Sequence, residues 1–254
     1  MTLHRFLVLV ILTAEISAVA AQEADSAAVS LPADTLDNPC RFRFQQLIVP
    51  AVLVGVGFLG LESDWLKGQN TEARDELQEH PHSHLSLDDF TQYAPLTATY
   101  GLKLFGIRSR HNYLDMTIIA GTAYAFTAVS VYSIKTLTKV QRPDGSARNS
   151  FPSGHTATAF VGAELLRREY WDTSPWIGVA GYVVAAGTGF MRMYNNRHWL
   201  TDVIAGAGIG ILSAEAAWWL YPVIKKAFPR RSDPPMIIPA VTPGSVSLSA
   251  RITF

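Results

Sequence analysis

Lys135 and Arg142 stand seven residues apart at the end of a long apolar run, with Pro143 directly after. A second segment reads Phe151-Pro152-Ser153-Gly154-His155, and a third runs from Arg192 through His198 to Asp202. These residue types suit phosphoryl transfer. A phosphoryl group carries about two negative charges spread over its oxygens. Moving it requires fixed cations and oriented N–H donors around those oxygens. It also requires an in-line nucleophile and an acid for the leaving alkoxide.

Each requirement has a candidate. Lys135, Arg142 and Arg192 are the cations, and arginine suits bidentate contact with phosphate oxygens. Ser153 and Gly154 follow Pro152 where a helix would begin, and a helix N-terminus offers free N–H groups to an anion. His198 and Asp202, four apart, share one helix face. A carboxylate on one ring nitrogen fixes the tautomer and raises the basicity of the other, which makes His198 the natural nucleophile. His155 has no carboxylate nearby in sequence and fits the general acid. Lys139, Arg148 and Arg197 are extra cations suited to solvent or headgroup contact, and Asp144 and Asn149 are loop-shaping residues.

Six apolar stretches must position these groups: Leu47–Leu61, Tyr93–Gly106, Leu114–Ile134, Thr156–Leu166, Trp176–Phe190 and Trp199–Leu220. None alternates as a strand does, so all are expected to be helical. Three reach or approach the length of a bilayer crossing. Gly206 and Gly210 lie on one helix face and permit close helix contact. Trp218, Trp219 and Tyr221 end the last stretch as an interfacial belt. Residues 62–91 are polar and acidic, expected as an amphipathic excursion or solvated loop. His80, His82 and His84 within it lack the companion ligands of a metal site. From Met236 to Phe254 the pattern reads strand, turn, strand.

Composition narrows the function. With 21 basic and 21 acidic residues the formal charge is zero, so no global field favours nucleic acid. The single cysteine, Cys40, cannot form an internal disulfide. A short positive start, an apolar run and small residues near position 20 make residues 1–21 resemble an export signal, followed by a flexible leader over 22–44. The remaining chain divides into a catalytic domain over 45–228 and a tail over 229–254.

The pattern K-x6-R-P, then P-S-G-H, then R-x5-H-x3-D, complete and in order, resembles the type 2 phosphatidic acid phosphatase (PAP2) superfamily. That resemblance implies an all-α, six-helix, membrane-embedded bundle, here with a short C-terminal β-hairpin. It implies phosphate held by Lys135, Arg142, Ser153, Gly154 and Arg192. His155 is then the acid, His198 the nucleophile and Asp202 its partner, with no metal and no cofactor. Met191 stands where the family often has serine. The export signal and compact layout are similar to lipid A phosphatases of Bacteroidetes, which implies a lipid phosphate substrate, lipid A at its 4'-phosphate first. Undecaprenyl pyrophosphate, phosphatidic acid and phosphatidylglycerol phosphate are rivals. A soluble acid phosphatase, a vanadium haloperoxidase and a non-enzymatic headgroup binder remain alternatives.

All three motifs fall on one side of the apolar stretches. The basic groups Arg108-Arg110, Arg167-Arg168 and Lys225-Lys226 through Arg230-Arg231 fall on the other. The positive-inside rule then points to an inner-membrane protein with its site in the periplasm, a peripheral periplasmic protein being the alternative. Counting six crossings from an exported leader gives the opposite side. The expectation is therefore that one early stretch does not span, Tyr93–Gly106 being the weakest.

Overall fold

The computed structural model describes residues 44–79, 86–227, 236–242 and 245–251. The segment expected to be an export signal, nearly all of the expected leader and the three clustered histidines lie outside the described residues. Among those residues the chain forms eight helices and two strands. The helices are α1 (Gln45–Glu62), α2 (Asp64–Gln78), α3 (Asp88–Thr91), α4 (Ala94–Leu104), α5 (Tyr113–Thr138), α6 (Gly154–Tyr170), α7 (Pro175–Tyr194) and α8 (Leu200–Ala227). Each of the six apolar stretches lies within one of α1 and α4–α8, give or take a residue or two at the ends. The polar stretch 62–91 supplies α2 and the single turn α3, so much of the expected loop is helical.

Local chemistry sets the ends. Asn112 accepts the Asp115 N–H at 2.9 Å to start α5, and Ser153 caps α6 through the Thr156 N–H, each satisfying a donor that helix geometry leaves open. Pro175 opens α7, where its missing N–H costs nothing. Lys139 ends α5 in the left-handed region, at φ 50°.

α6 is the central helix. Ala157, Ala159, Val161 and Ala163 are fully buried, and their small side chains let neighbours approach. α8 comes closest. A Cβ built on Gly206 would stand 2.5 Å from the Ser153 carbonyl oxygen, and one on Gly210 would collide with the Ala157 carbonyl. The two glycines therefore seat α8 directly behind the turn that presents Ser153, Gly154 and His155.

Helix direction follows from the contacts. The start of α1 meets the far part of α8 (Gln46 to Trp219, 3.1 Å), whereas Gly60 near its end abuts Thr201. α3 and α4 run alongside α6, from Asp89 at His155 to Thr99 at Tyr170. The weakest apolar stretch is thus not set apart: with α3 it descends the full length of α6. Phe44 consequently lies at the end of the bundle opposite the motifs.

The chain is built as a membrane protein. α1, α5 and α8 are long and apolar enough to cross a bilayer; the 26 residues of α5 span about 39 Å at 1.5 Å per residue. α1 and α5 turn apolar side chains outward, including Val52, Leu59, Val129 and Leu137. Surface of that kind suits lipid rather than water. At the end away from the motifs, Arg168 pairs with Glu215 and Arg167 with Glu164 at 2.5 Å. Arg110 pairs there with Asp172 and His111 with Glu169. Residues Leu220–Phe254 form a separate compact unit. In it β1 (Met236–Thr242) pairs antiparallel with β2 (Ser245–Arg251), Thr242 opposite Ser245.

Candidate active site

The three motifs sit at helix ends that converge on one end of the bundle. Lys135 lies in the last turn of α5 and Arg142 in the loop after it. Ser153 caps α6, with Gly154 and His155 in its first turn. Arg192 lies in the last turn of α7, and Asp202 in the first turn of α8 beside His198.

His198 and Asp202 are almost wholly buried. One carboxylate oxygen of Asp202 gathers three groups: His198 Nδ1 at 3.4 Å, the Trp199 N–H at 2.9 Å and the Ser150 hydroxyl at 2.5 Å. Asp202 is therefore held from three directions, and it holds His198 by Nδ1. The ring nitrogen left for chemistry is Nε2. Burial pushes the His198 imidazole down to about 4, with the Lys135 and Arg192 charges acting in the same direction and Asp202 opposing them. At neutral pH the ring is uncharged, so it carries the lone pair a nucleophile needs.

The cations are fixed by backbone and amide oxygens. Lys135 Nζ donates to the Asn149 and Ser150 carbonyls. Arg142 Nε donates to the Asn149 side chain at 2.8 Å, so Asn149 ties both cations together. Arg192 is buried and paired with Asp88, which also accepts from Asn195 at 3.1 Å. Arg192 acts electrostatically on Lys135, Arg142, His155 and His198. The three cations and two histidines thus share one neighbourhood. Among the described residues Arg192 Nε, a buried N–H, has no hydrogen-bond partner, a costly state that an anion's oxygen would relieve.

His155 meets a carboxylate that the sequence did not suggest. Its Nε2 lies 2.9 Å from Asp89 Oδ1. Ser150, Asn149, Asn195, Asp88 and Asp89 are the site groups beyond the motifs. Ser150 precedes the second motif and Asn195 lies inside the third, yet neither type signals a role. Asp88 and Asp89 come from the acidic stretch, 104 and 66 residues from their partners, and nothing local marks them out.

Asp88, Asp89 and His155 place possible ligand atoms within 4.8 Å of one another. Asp88 is already neutralised by Arg192, which leaves a weak donor set for a cation. Arg197 pairs with Asp144 at 2.9 Å. A cavity of about 490 Å³ opens beside the site, between α1, α2, the end of α5 and the start of α8. Its lining includes Lys67, Asn70, Thr138, Trp199 and Asp202.

Residues 116–226 match the PAP2 superfamily. A lipid A 1-phosphatase of Porphyromonas gingivalis is 42% identical over 150 residues, 56% of this chain and 32% of that protein. The chain thus spans about a third of the length of that curated relative. Two solved structures resemble it. Aquifex aeolicus LpxE, at 24% identity and TM-score 0.46, covers 59% of this chain and 94% of its own. A transmembrane PAP2-type phosphatidylglycerolphosphate phosphatase from Bacillus subtilis, at 18% identity and TM-score 0.48, covers 72% and 98%. All three motifs fall inside residues 116–226, the segment that is similar to the PAP2 superfamily.

Proposed function

We propose that the chain is a metal-independent lipid phosphatase that hydrolyses a phosphate monoester through a phosphohistidine at His198. What carries this is the setting of His198: buried, uncharged, held by Nδ1 on Asp202, and within reach of the charges of Lys135 and Arg192. Lys135, Arg142 and Arg192, with the Gly154 N–H, bind the phosphoryl oxygens; the Ser153 N–H, expected from sequence to join them, instead donates to the Asp202 carbonyl at 3.0 Å. His198 Nε2 attacks phosphorus as the bond to the leaving oxygen breaks. His155 gives that oxygen its proton, then takes one from the water that splits the N–P bond. Asp202 stays ionised and stabilises the cationic ring formed on the way.

The substrate is proposed to be lipid A. The Porphyromonas relative is named for the 1-phosphate, which favours that position over the 4'-phosphate expected from sequence. Mass spectrometry of lipids incubated with wild type and His198→Ala tests this. Loss of one phosphate from lipid A with wild type only is the expected result. Turnover confined to glycerophospholipids or undecaprenyl pyrophosphate would keep the chemistry and refute the substrate. A chelator is expected to leave the rate unchanged.

The site is proposed to face the periplasm from the inner membrane. The cations at the opposite end, Arg110, Arg167 and Arg168 among them, support this by the positive-inside rule. Since Phe44 lies opposite the motifs, that orientation puts Phe44 on the cytoplasmic side. Cells with a permeabilised outer membrane can be treated with an impermeant maleimide. In a Cys40→Ser background, labelling of Ser146→Cys and no labelling of Phe44→Cys is expected. The reverse pattern would place the site in the cytoplasm.

A further inference from the structure

We propose that Asp89 is the positioning residue of the general acid, holding His155 by Nε2 so that Nδ1 delivers the proton to the leaving oxygen. This rests on the phosphatase assignment above and adds a residue that the motifs do not contain. The contact is 2.9 Å. The Asp89 side chain is 60% exposed, and an exposed ion pair on a mobile chain contributes little. Here the backbone beneath it is clamped. The neighbouring Asp88 is buried and bound by Arg192 and Asn195. Thr91 receives the Thr188 hydroxyl at 2.9 Å. Gln92, itself buried, donates to the Asp89 carbonyl at 2.9 Å. The single turn α3 is thus fastened to α7 on both sides of Asp89, and its carboxylate is delivered to one place.

The consequence is a division of labour between two adjacent carboxylates. Asp88 fixes a phosphate-binding cation, and Asp89 fixes the acid. His155 enters the reaction protonated on both nitrogens, with Nε2–H given to Asp89 and Nδ1 carrying the proton to be transferred. As the N–P bond to His198 forms and the P–O bond breaks, the Nδ1 proton passes to the departing alkoxide. In the second half, Nδ1 takes a proton from the attacking water as the N–P bond breaks. The Nε2 proton stays on the ring, donated to Asp89 throughout, and Asp89 is never itself protonated.

A group that only aligns the acid matters in proportion to how much the leaving oxygen needs a proton. Asp89→Asn should therefore be compared with wild type on an alkyl monophosphate and on p-nitrophenyl phosphate, whose leaving group departs without help. His155→Ala serves as the control, and thermal unfolding checks the fold. General acid catalysis contributes about 10²- to 10⁴-fold. Asp89→Asn is expected to lower kcat on the alkyl ester by roughly 10- to 100-fold and on the aryl ester by less than about 3-fold. His155→Ala should show the same selectivity more strongly. Equal losses on both esters, or wild-type rates on both while His155→Ala remains selective, would overturn the role of Asp89 and leave the phosphatase assignment standing. A His155→Ala variant without selectivity would remove the general acid, and Asp89's role with it.

Discussion

Replacing Asp202 with asparagine keeps the shape of the side chain and removes its charge. One Asp202 oxygen receives His198 Nδ1 at 3.4 Å, the Trp199 N–H and the Ser150 hydroxyl. An amide oxygen can occupy that place and still accept. Fold and phosphate binding should therefore survive, because the binding cations do not touch this oxygen. What disappears is the attraction between the carboxylate and the positive charge that His198 gains as it bonds to phosphorus. At 3.4 Å and an effective dielectric near 20, that attraction is about 5 kcal/mol. The amide dipole recovers part of it, which leaves a loss of roughly 2–4 kcal/mol, or about 30- to 1,000-fold in kcat. The assay is steady-state phosphate release in detergent micelles, with the thermal unfolding midpoint as a control. KM should stay within a few-fold of wild type. A kcat within 3-fold of wild type would refute the part given to Asp202.

Gly206→Ala should displace the start of α6, because the new Cβ would meet the Ser153 carbonyl at 2.5 Å; lower thermal stability together with loss of activity is expected, and wild-type behaviour would contradict the close seating of α8. The acid limb of kcat/KM should lie near pH 4 rather than 6.5, since burial holds the His198 imidazole at about 4. Stability follows the same group. Above pH 6.5 the ring is neutral in both folded and unfolded chains. As pH falls from 6.5 towards 4 the unfolded chain takes a proton that the folded one refuses, and stability drops by something of the order of 3 kcal/mol; His198→Gln should flatten that slope in unfolding measured against pH. At the far end, Arg168→Met strips the buried Glu215 of its closest partner and should cost about 3–5 kcal/mol in unfolding experiments, with kcat of the surviving folded protein unchanged.

The convergence of the three motifs could be read from sequence because each is local. Each motif sits at a helix end, so spacing alone puts His198 and Asp202 on one face and Ser153 at an N-terminus. The support around them could not. Asp88 and Asp89 lie in an acidic stretch whose composition matches any solvated helix, and only the folding of α3 against α7 gives them partners. Asn149 and Ser150 act in part through carbonyls, which every residue has, and in part through side-chain contacts to Arg142 and Asp202 that folding alone supplies. The six apolar stretches were visible as helices. The path of α3 and α4 along α6 was not, because α4 is only 11 residues long and needs α3 to complete the distance. Gly206 and Gly210 announced a close contact, but not that its partner would be the turn that carries His155.

The proposed chemistry turns on a covalent bond between phosphorus and His198. Rapid mixing of the purified protein with a radiolabelled phosphate ester, alkaline quenching and peptide mass spectrometry tests it most directly. An acid-labile, alkali-stable phosphate on His198 should form and decay within the turnover time, and be absent from His198→Ala. No trapped phosphate under single-turnover conditions, or phosphate on another residue, would contradict it.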